Sequence, residues 1–355
     1  MRTFALMIAL AMWHPLAAGA QDLPWEVPPT GSVVEKEIRF ENDGVELYGV
    51  LHTLEEVREG PALVAIHGSG TPEHDSWLFE HLVEALPALG VSVFVYDRRG
   101  TGESGGELAT ATFQDLADDA LAAAGAIAAT EQVSRDAIGF WGQSQGGWLA
   151  MEAGARGKAA FVINWAGPLT TPAEANFFVI ENAVTLGGYD AQTAQRAVGV
   201  RRAIDEYVRG ERDYAEVRDL IASAEEEEWF DRSLLQPAEA LPEEVSETGW
   251  RQIMDYDPVA ALERLGAREV PTWIVYGGAD PVVPVALSLE VLEDRFGGSG
   301  DWLDVTVIED ADHILMFPDD PDFMNPEIDE ADLGPESARY FVTMGAWLQS
   351  NVGIR

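Results

Sequence analysis

Four short runs of nearly unbroken apolar residues, at 62–66, 91–96, 137–141 and 161–165, constrain this chain more tightly than any other feature. Each is too short for a stable helix and shows no polar/apolar alternation, which is how a strand reads when both of its faces are covered. Two further strands are expected at 272–276 and 303–308. A leading pair at 33–40 and 45–52 is joined by the turn Asn42-Asp43-Gly44. Between the runs, apolar residues fall at helical spacing: Trp77, Leu78, Leu82, Ala85, Leu86 and Leu89 in one stretch, and Phe113, Leu116, Ala120, Ala124 and Ile127 in the next. Strands alternating with helices predict an α/β fold with a mostly parallel central sheet flanked by helices.

The alternation fails between about 171 and 260, which contains no convincing strand. Asp190 is placed to cap a helix whose inner face carries Ala197, Ile204 and Val208 before Gly210. Asp213 and Glu216 form a capping-box pattern ahead of Val217, Leu220 and Ile221. Residues 171–260 therefore read as a helical cap insertion that divides a core of 21–170 and 261–355. The run Glu225 to Glu228 reads as a solvated helix face without a function of its own.

The chemistry is concentrated in Gly142-Gln143-Ser144-Gln145-Gly146, between the strand ending at Trp141 and the helix-competent Gly147-Trp148-Leu149-Ala150-Met151. A G-x-S-x-G sequence in that setting is a nucleophile elbow, a sharp strand-to-helix turn that presents the serine hydroxyl at the sheet edge. A serine hydroxyl is a poor nucleophile at neutral pH, so it needs a base in reach and a third group to orient that base. In folds with such elbows the chain order is serine, acid, histidine. Of the six histidines, His14, His52, His67, His74 and His81 precede Ser144, leaving His313 as the base. Asp280, just after the strand at 272–276, is the favoured acid, with Asp310 and Asp312 as competitors beside His313 in sequence. The developing oxyanion needs two N–H donors. The backbone amide of Gln145 is one, and that of Ser69, in His67-Gly68-Ser69-Gly70 after the strand at 62–66, is the other, with Gly70 as its fallback. His67 reads as a brace for that loop.

These segments, together with Tyr96-Asp97-Arg98-Arg99-Gly100-Thr101-Gly102-Glu103-Ser104 and Gly277-Gly278-Ala279-Asp280, stand in the order found in α/β-hydrolases. The chain most resembles the exported bacterial serine esterase and serine aminopeptidase-like branch, over about 33–170 and 258–350. The insertion matches only as the cap that many members carry at that place. The resemblance implies that the Asp97 to Ser104 turn is chiefly structural, so Asp97 and Ser104 stay outside the catalytic set. It implies an acyl-enzyme on Ser144, with a carboxylic ester as the expected substrate. Cleavage of short peptides or aminoacyl amides is the alternative, and a catalytically inactive binding protein of the same fold the lesser one. A peptidase of this kind would need carboxylates converging near Ser144 to bind an ammonium group. The insertion is rich enough in them, with 20 acids against 8 bases, but number does not give placement. Phe177, Phe178, Trp229, Phe230 and Trp250 are aromatic enough to line an acyl pocket, although each also suits packing within the insertion itself.

Composition narrows the partners. The 62 acidic and 22 basic residues leave a net charge of −40, which excludes a binder of phosphate backbones and tilts the substrate toward neutral esters or cationic amides. No cysteine is present, so thiolate chemistry is excluded, and no clustered ligand set implies a metal or other cofactor. Arg2, the apolar run 4–13 and Ala18-Gly19-Ala20 read as a cleavable secretory signal over 1–20. About ten apolar residues fall short of the roughly 20 that span a bilayer, so an exported protein without a stable membrane anchor is expected. Near-absence of lysine beside so many carboxylates suggests adaptation to saline surroundings.

Overall fold

The structure is a computed structural model that describes residues 31–70, 73–245, 249–298, 300–318, 322–324 and 336–353. The expected signal, 1–20, lies outside the described residues. The strands are β1 (Val33–Asn42), β2 (Val45–Leu54), β3 (Gly60–Ile66), β4 (Ser92–Tyr96), β5 (Val133–Gln143), β6 (Val162–Trp165), β7 (Thr272–Gly277) and β8 (Leu303–Ile308). They form one sheet in the order β1-β2-β4-β3-β5-β6-β7-β8. The pairs β1/β2 and β2/β4 are antiparallel, and every other neighbouring pair is parallel. The β1–β2 turn is made by Asp43 and Gly44, both at positive φ (46° and 77°), which matches the right-handed twist of the strands it joins.

The helices are α1 (Glu80–Ala85), α2 (Phe113–Ile127), α3 (Gln145–Arg156), α4 (Pro172–Leu186), α5 (Ala191–Val208), α6 (Tyr214–Glu225), α7 (Trp250–Ile253), α8 (Pro258–Gly266), α9 (Val285–Phe296) and α10 (Ala338–Asn351). Alternate residues of the central strands point to opposite faces, and both faces are covered. Ala62, Val64 and Ile66 of β3 join a core shared with α2, α3, α8 and α9, while Leu63 and Ala65 join a second core with α1 and α10. The second core holds Trp141, Trp165, Trp273 and Trp347. The Trp273 ring is stacked on Tyr340 and on Trp347, with centroids 5.9 and 6.1 Å apart.

The single helix implied by the spacing of Trp77 to Leu89 is instead three pieces, a 3₁₀ turn over Trp77–Phe79, α1, and a second 3₁₀ turn over Pro87–Leu89. Pro87 has no N–H to give the preceding turn, so the helix cannot run through it. Between β6 and β7 the described residues form helices and turns and pack a hydrophobic cluster of their own, from Ile180 and Val184 of α4 through Ala197 of α5 to Val217 and Ile221 of α6. Asp190 caps α5 by accepting from the Thr193 N–H at 2.9 Å. The capping box expected at Asp213 does not form. Asp213 makes no side-chain cap bond, and Glu216 turns outward to Arg212 at 3.3 Å. Glu225 to Glu228 are exposed. Among the described residues no helix is long and apolar enough to cross a membrane.

Candidate functional site

β5 runs directly into Ser144, which stands between Gln143 and the first residue of α3 at φ 55° and ψ −119°. An L-residue pays about 1–3 kcal/mol to sit there, so the surroundings must enforce it. They do so through backbone bonds: the Ser144 N–H donates to the Trp165 carbonyl at 2.8 Å, and the Gly147 N–H to the Ser144 carbonyl at 2.9 Å. The flanking glycines are dictated by contact, since a Cβ on Gly142 would lie 1.9 Å from the Gly146 carbonyl oxygen and one on Gly146 2.3 Å from that of Ile66.

Asp280 follows β7 and His313 follows β8, so both leave the carboxyl ends of strands in the half of the sheet that β5 begins. The His313 Nδ1 lies 2.7 Å from the Asp280 Oδ2. A carboxylate only accepts, so Nδ1 carries the proton and Nε2 is left with its lone pair. The other carboxylate oxygen of Asp280 accepts from the Val282 and Val283 N–H groups at 2.7 and 3.0 Å, which fixes the acid in place. Burial pulls the His313 imidazole toward its neutral form, but the charge of Asp280, the hydrogen bond to it and the charge of Asp312 together carry its pKa above the ordinary value. Asp312 is occupied elsewhere, accepting from the Ile314 and Met316 N–H groups at 3.0 and 2.8 Å, and Asp310 is exposed.

The loop after β3 brings Ser69 and Gly70 to the surface beyond a buried Gly68. Among the described residues, the backbone N–H groups of Ser69 and Gln145 have no acceptor. His67 donates from Nε2 to the Tyr96 carbonyl at 2.7 Å, and burial, reinforced by the nearby Arg98 charge, pushes its pKa down to about 3. It is a neutral brace. The turn after β4 also holds His74. Asp97 Oδ1 accepts from both the backbone N–H and the Nδ1 of His74, at 2.8 and 2.6 Å, and Ser104 donates to the Asp97 carbonyl at 2.7 Å. Arg98, which sequence reasoning passed over, donates to the Gly68 carbonyl and to the side-chain oxygen of Gln145. The one signal available was its position beside Asp97, in a turn read as structural throughout.

Trp229 is buried within the cluster of the helical segment, and Phe177 and Phe230 pack against that cluster. Trp250 donates to Asp205 at 2.9 Å beneath the Arg201 guanidinium. Phe178 is half-buried on α4. An open groove of about 690 Å³ between α5 and α6 is bordered by Trp229 but by none of Ser144, Asp280 and His313. The helical segment reaches the candidate site through α4, where Asn182 donates to the carbonyl of Pro281, the residue after Asp280, at 3.0 Å.

The sequence profile described as "Alpha/beta hydrolase family" matches residues 63–327, and the chain belongs to that family. Among curated protein sequences none matches it significantly. It is similar in structure to Est1E of Butyrivibrio proteoclasticus, solved with ferulic acid bound, at TM-score 0.53 and 17% identity over 89% of this chain and 99% of that one. It is likewise similar to an esterase of Pyrococcus furiosus, at TM-score 0.52 and 14% identity over 92% and 98% of the two chains. An acylaminoacyl peptidase of Pyrococcus horikoshii gives TM-score 0.54 and 14% identity over 90% of this chain but 42% of that one.

Proposed function

We propose that this hydrolase-family chain is a serine hydrolase that cleaves a carboxylic ester through an acyl-enzyme on Ser144. The observation that carries the reading is the strained backbone of Ser144, at φ 55°, on the same sheet as an Asp280–His313 pair bonded at 2.7 Å. Ser144 Oγ attacks the acyl carbonyl carbon while His313 Nε2 takes its proton. Asp280 stays ionised and steadies the imidazolium through Nδ1. The oxyanion accepts from the Ser69 and Gln145 N–H groups, which have no competing acceptor among the described residues. Nε2 then protonates the departing alcohol, and water repeats the sequence in reverse to release the acid. An ester suits this arrangement because an alkoxide leaves with less help than an amine. The helical segment covers the site through α4, and the mature protein works outside the cytoplasm.

The test is a substrate panel for the purified protein, with p-nitrophenyl esters of graded acyl length set against aminoacyl p-nitroanilides. The expected result is a higher kcat/KM on the esters. Faster turnover of the anilides would transfer the assignment to the peptidase reading, which shares Ser144 and differs in what binds the substrate.

A further inference from the structure

Arg98 is a buried cation for which the reaction above has no use. It is 4% exposed, and among the described residues it forms no ion pair. Among the described residues its Nε has no hydrogen-bond partner. A guanidinium withdrawn from water without a carboxylate is costly, and burial accordingly lowers its pKa. What it does have are two neutral acceptors, each attached to one of the proposed oxyanion donors. Nη1 donates to the Gly68 carbonyl at 3.3 Å, and Nη2 donates to the Gln145 Oε1.

Gly68 C=O and Ser69 N–H belong to one peptide unit, and no peptide bond among the described residues is cis. In a planar trans unit the two groups point in opposite directions. A donor that holds the Gly68 carbonyl on one side therefore aims the Ser69 N–H to the other. The second arm of the same guanidinium holds the residue whose backbone N–H is the other donor. Asp97, the preceding residue, pins the far end of the same loop at His74.

We infer that Arg98 is a positioning residue for the oxyanion hole: one rigid guanidinium fork sets the Gly68–Ser69 peptide and Gln145 relative to each other, so that both N–H groups meet the same oxygen. The inference rests on the acyl-enzyme reading and adds to it the group that orients the hole.

The experiment compares the full chain with Arg98→Met, which removes both arms, and Arg98→Lys, which keeps the charge but has no planar fork. Reactive serines are counted by end-point titration with a fluorophosphonate, and kcat and KM on p-nitrophenyl acetate are expressed per titrated site. Inhibition by an aryl trifluoromethyl ketone is measured alongside, because Ser144 Oγ adds to its carbonyl carbon, the serine proton passes to His313, and the ketone oxygen becomes an oxyanion in the hole. Arg98→Met is expected to lower kcat per site about tenfold to a hundredfold with KM within about twofold, as for a misplaced oxyanion donor, and to weaken the ketone in parallel. Arg98→Lys should recover part of both. A structural role alone would reduce the number of titratable sites and leave kcat per site and ketone affinity unchanged, and that result overturns the inference. If Arg98→Met does not fold, Gln145→Leu severs one arm, and an unchanged kcat per site and ketone affinity there is equally fatal. Wild-type protein that neither labels nor turns over removes the acyl-enzyme reading, whereas active wild type with an equally active, ketone-sensitive Arg98→Met removes this inference only.

Discussion

The His313 imidazole donates a hydrogen bond from Nδ1–H to the Asp280 carboxylate across 2.7 Å, while the neighbouring carboxylate of Asp312 is spent on two backbone N–H groups of its own loop. Sequence distance would favour Asp310 or Asp312 as the partner, and geometry favours Asp280. Asp280→Asn should lower kcat by about 10³- to 10⁴-fold, because an amide cannot hold the required tautomer or offset the imidazolium charge. Asp310→Asn should stay within about twofold of wild type, as expected of an exposed side chain with no part in the transition state. Steady-state kinetics on one ester decides between them, and the reverse ranking would reassign the acid.

The pH dependence follows from the same pair. His313 acts as a base only when neutral, and its pKa lies above 6.5 because the effects of Asp280 and Asp312 outweigh burial. Activity is then full on the alkaline side and falls as pH drops through that raised value, placing the acid limb of kcat/KM above pH 6.5. In Asp280→Asn the raising charge is gone, and the limb of the residual activity should move to lower pH. A wild-type limb at or below 6.5 contradicts the assignment.

Ser144 carries a cost in the folded state that does not depend on substrate. At φ 55° and ψ −119° a glycine is at ease and an alanine is not. Ser144→Gly should therefore be more stable than Ser144→Ala by about 1 kcal/mol, inverting the usual preference, while both variants lose hydrolysis. Denaturant unfolding of the two proteins tests this, and equal stabilities would mean that the elbow is unstrained.

Much of this architecture was legible because buried parallel strands leave continuous apolar runs and because an elbow confines its glycines by contact. Chain order then singled out His313, and the place of Asp280 just after the strand at 272–276 favoured it as the acid. What escaped reading depends on atoms distant in sequence or on a choice between local partners. Glu216 could complete a capping box with Asp213 or reach Arg212, and it takes Arg212. Pro87 lies within an otherwise helical pattern and divides it. Trp229 and Phe230 looked as suitable for a pocket as for a core, since aromatic composition carries no direction, and they pack within the helical segment. Arg98 was illegible because of distance along the chain. Its acceptors are a carbonyl 30 residues earlier and a side chain 47 residues later, and no spacing rule connects them.

The turn after β4 is tied to α2 by a buried, two-pronged ion pair. Arg99 donates from Nε and Nη2 to the two carboxylate oxygens of Asp119 at 2.7 and 2.6 Å, and Asn42 adds a third bond at 2.7 Å. Asp119→Ala strands the guanidinium and should cost about 3–5 kcal/mol of stability, measurable as a lower denaturation midpoint. A loss below about 1 kcal/mol would mean that water reaches Arg99, as at an exposed pair.

The surplus of carboxylates belongs to the surface chemistry of the chain. With a net charge of −40, folding gathers like charges, and added salt screens their repulsion. The melting temperature should rise between low and molar sodium chloride, and a flat response would remove the case for salt adaptation.

The central claim is that Ser144 forms the acyl-enzyme, and covalent labelling tests it most directly. Purified protein treated with a fluorophosphonate should gain one adduct per chain, located on Ser144 by peptide mass spectrometry, with ester hydrolysis lost in proportion and no adduct on Ser144→Ala. Folded protein that takes no label, or a Ser144→Ala variant that still hydrolyses esters, would contradict the account.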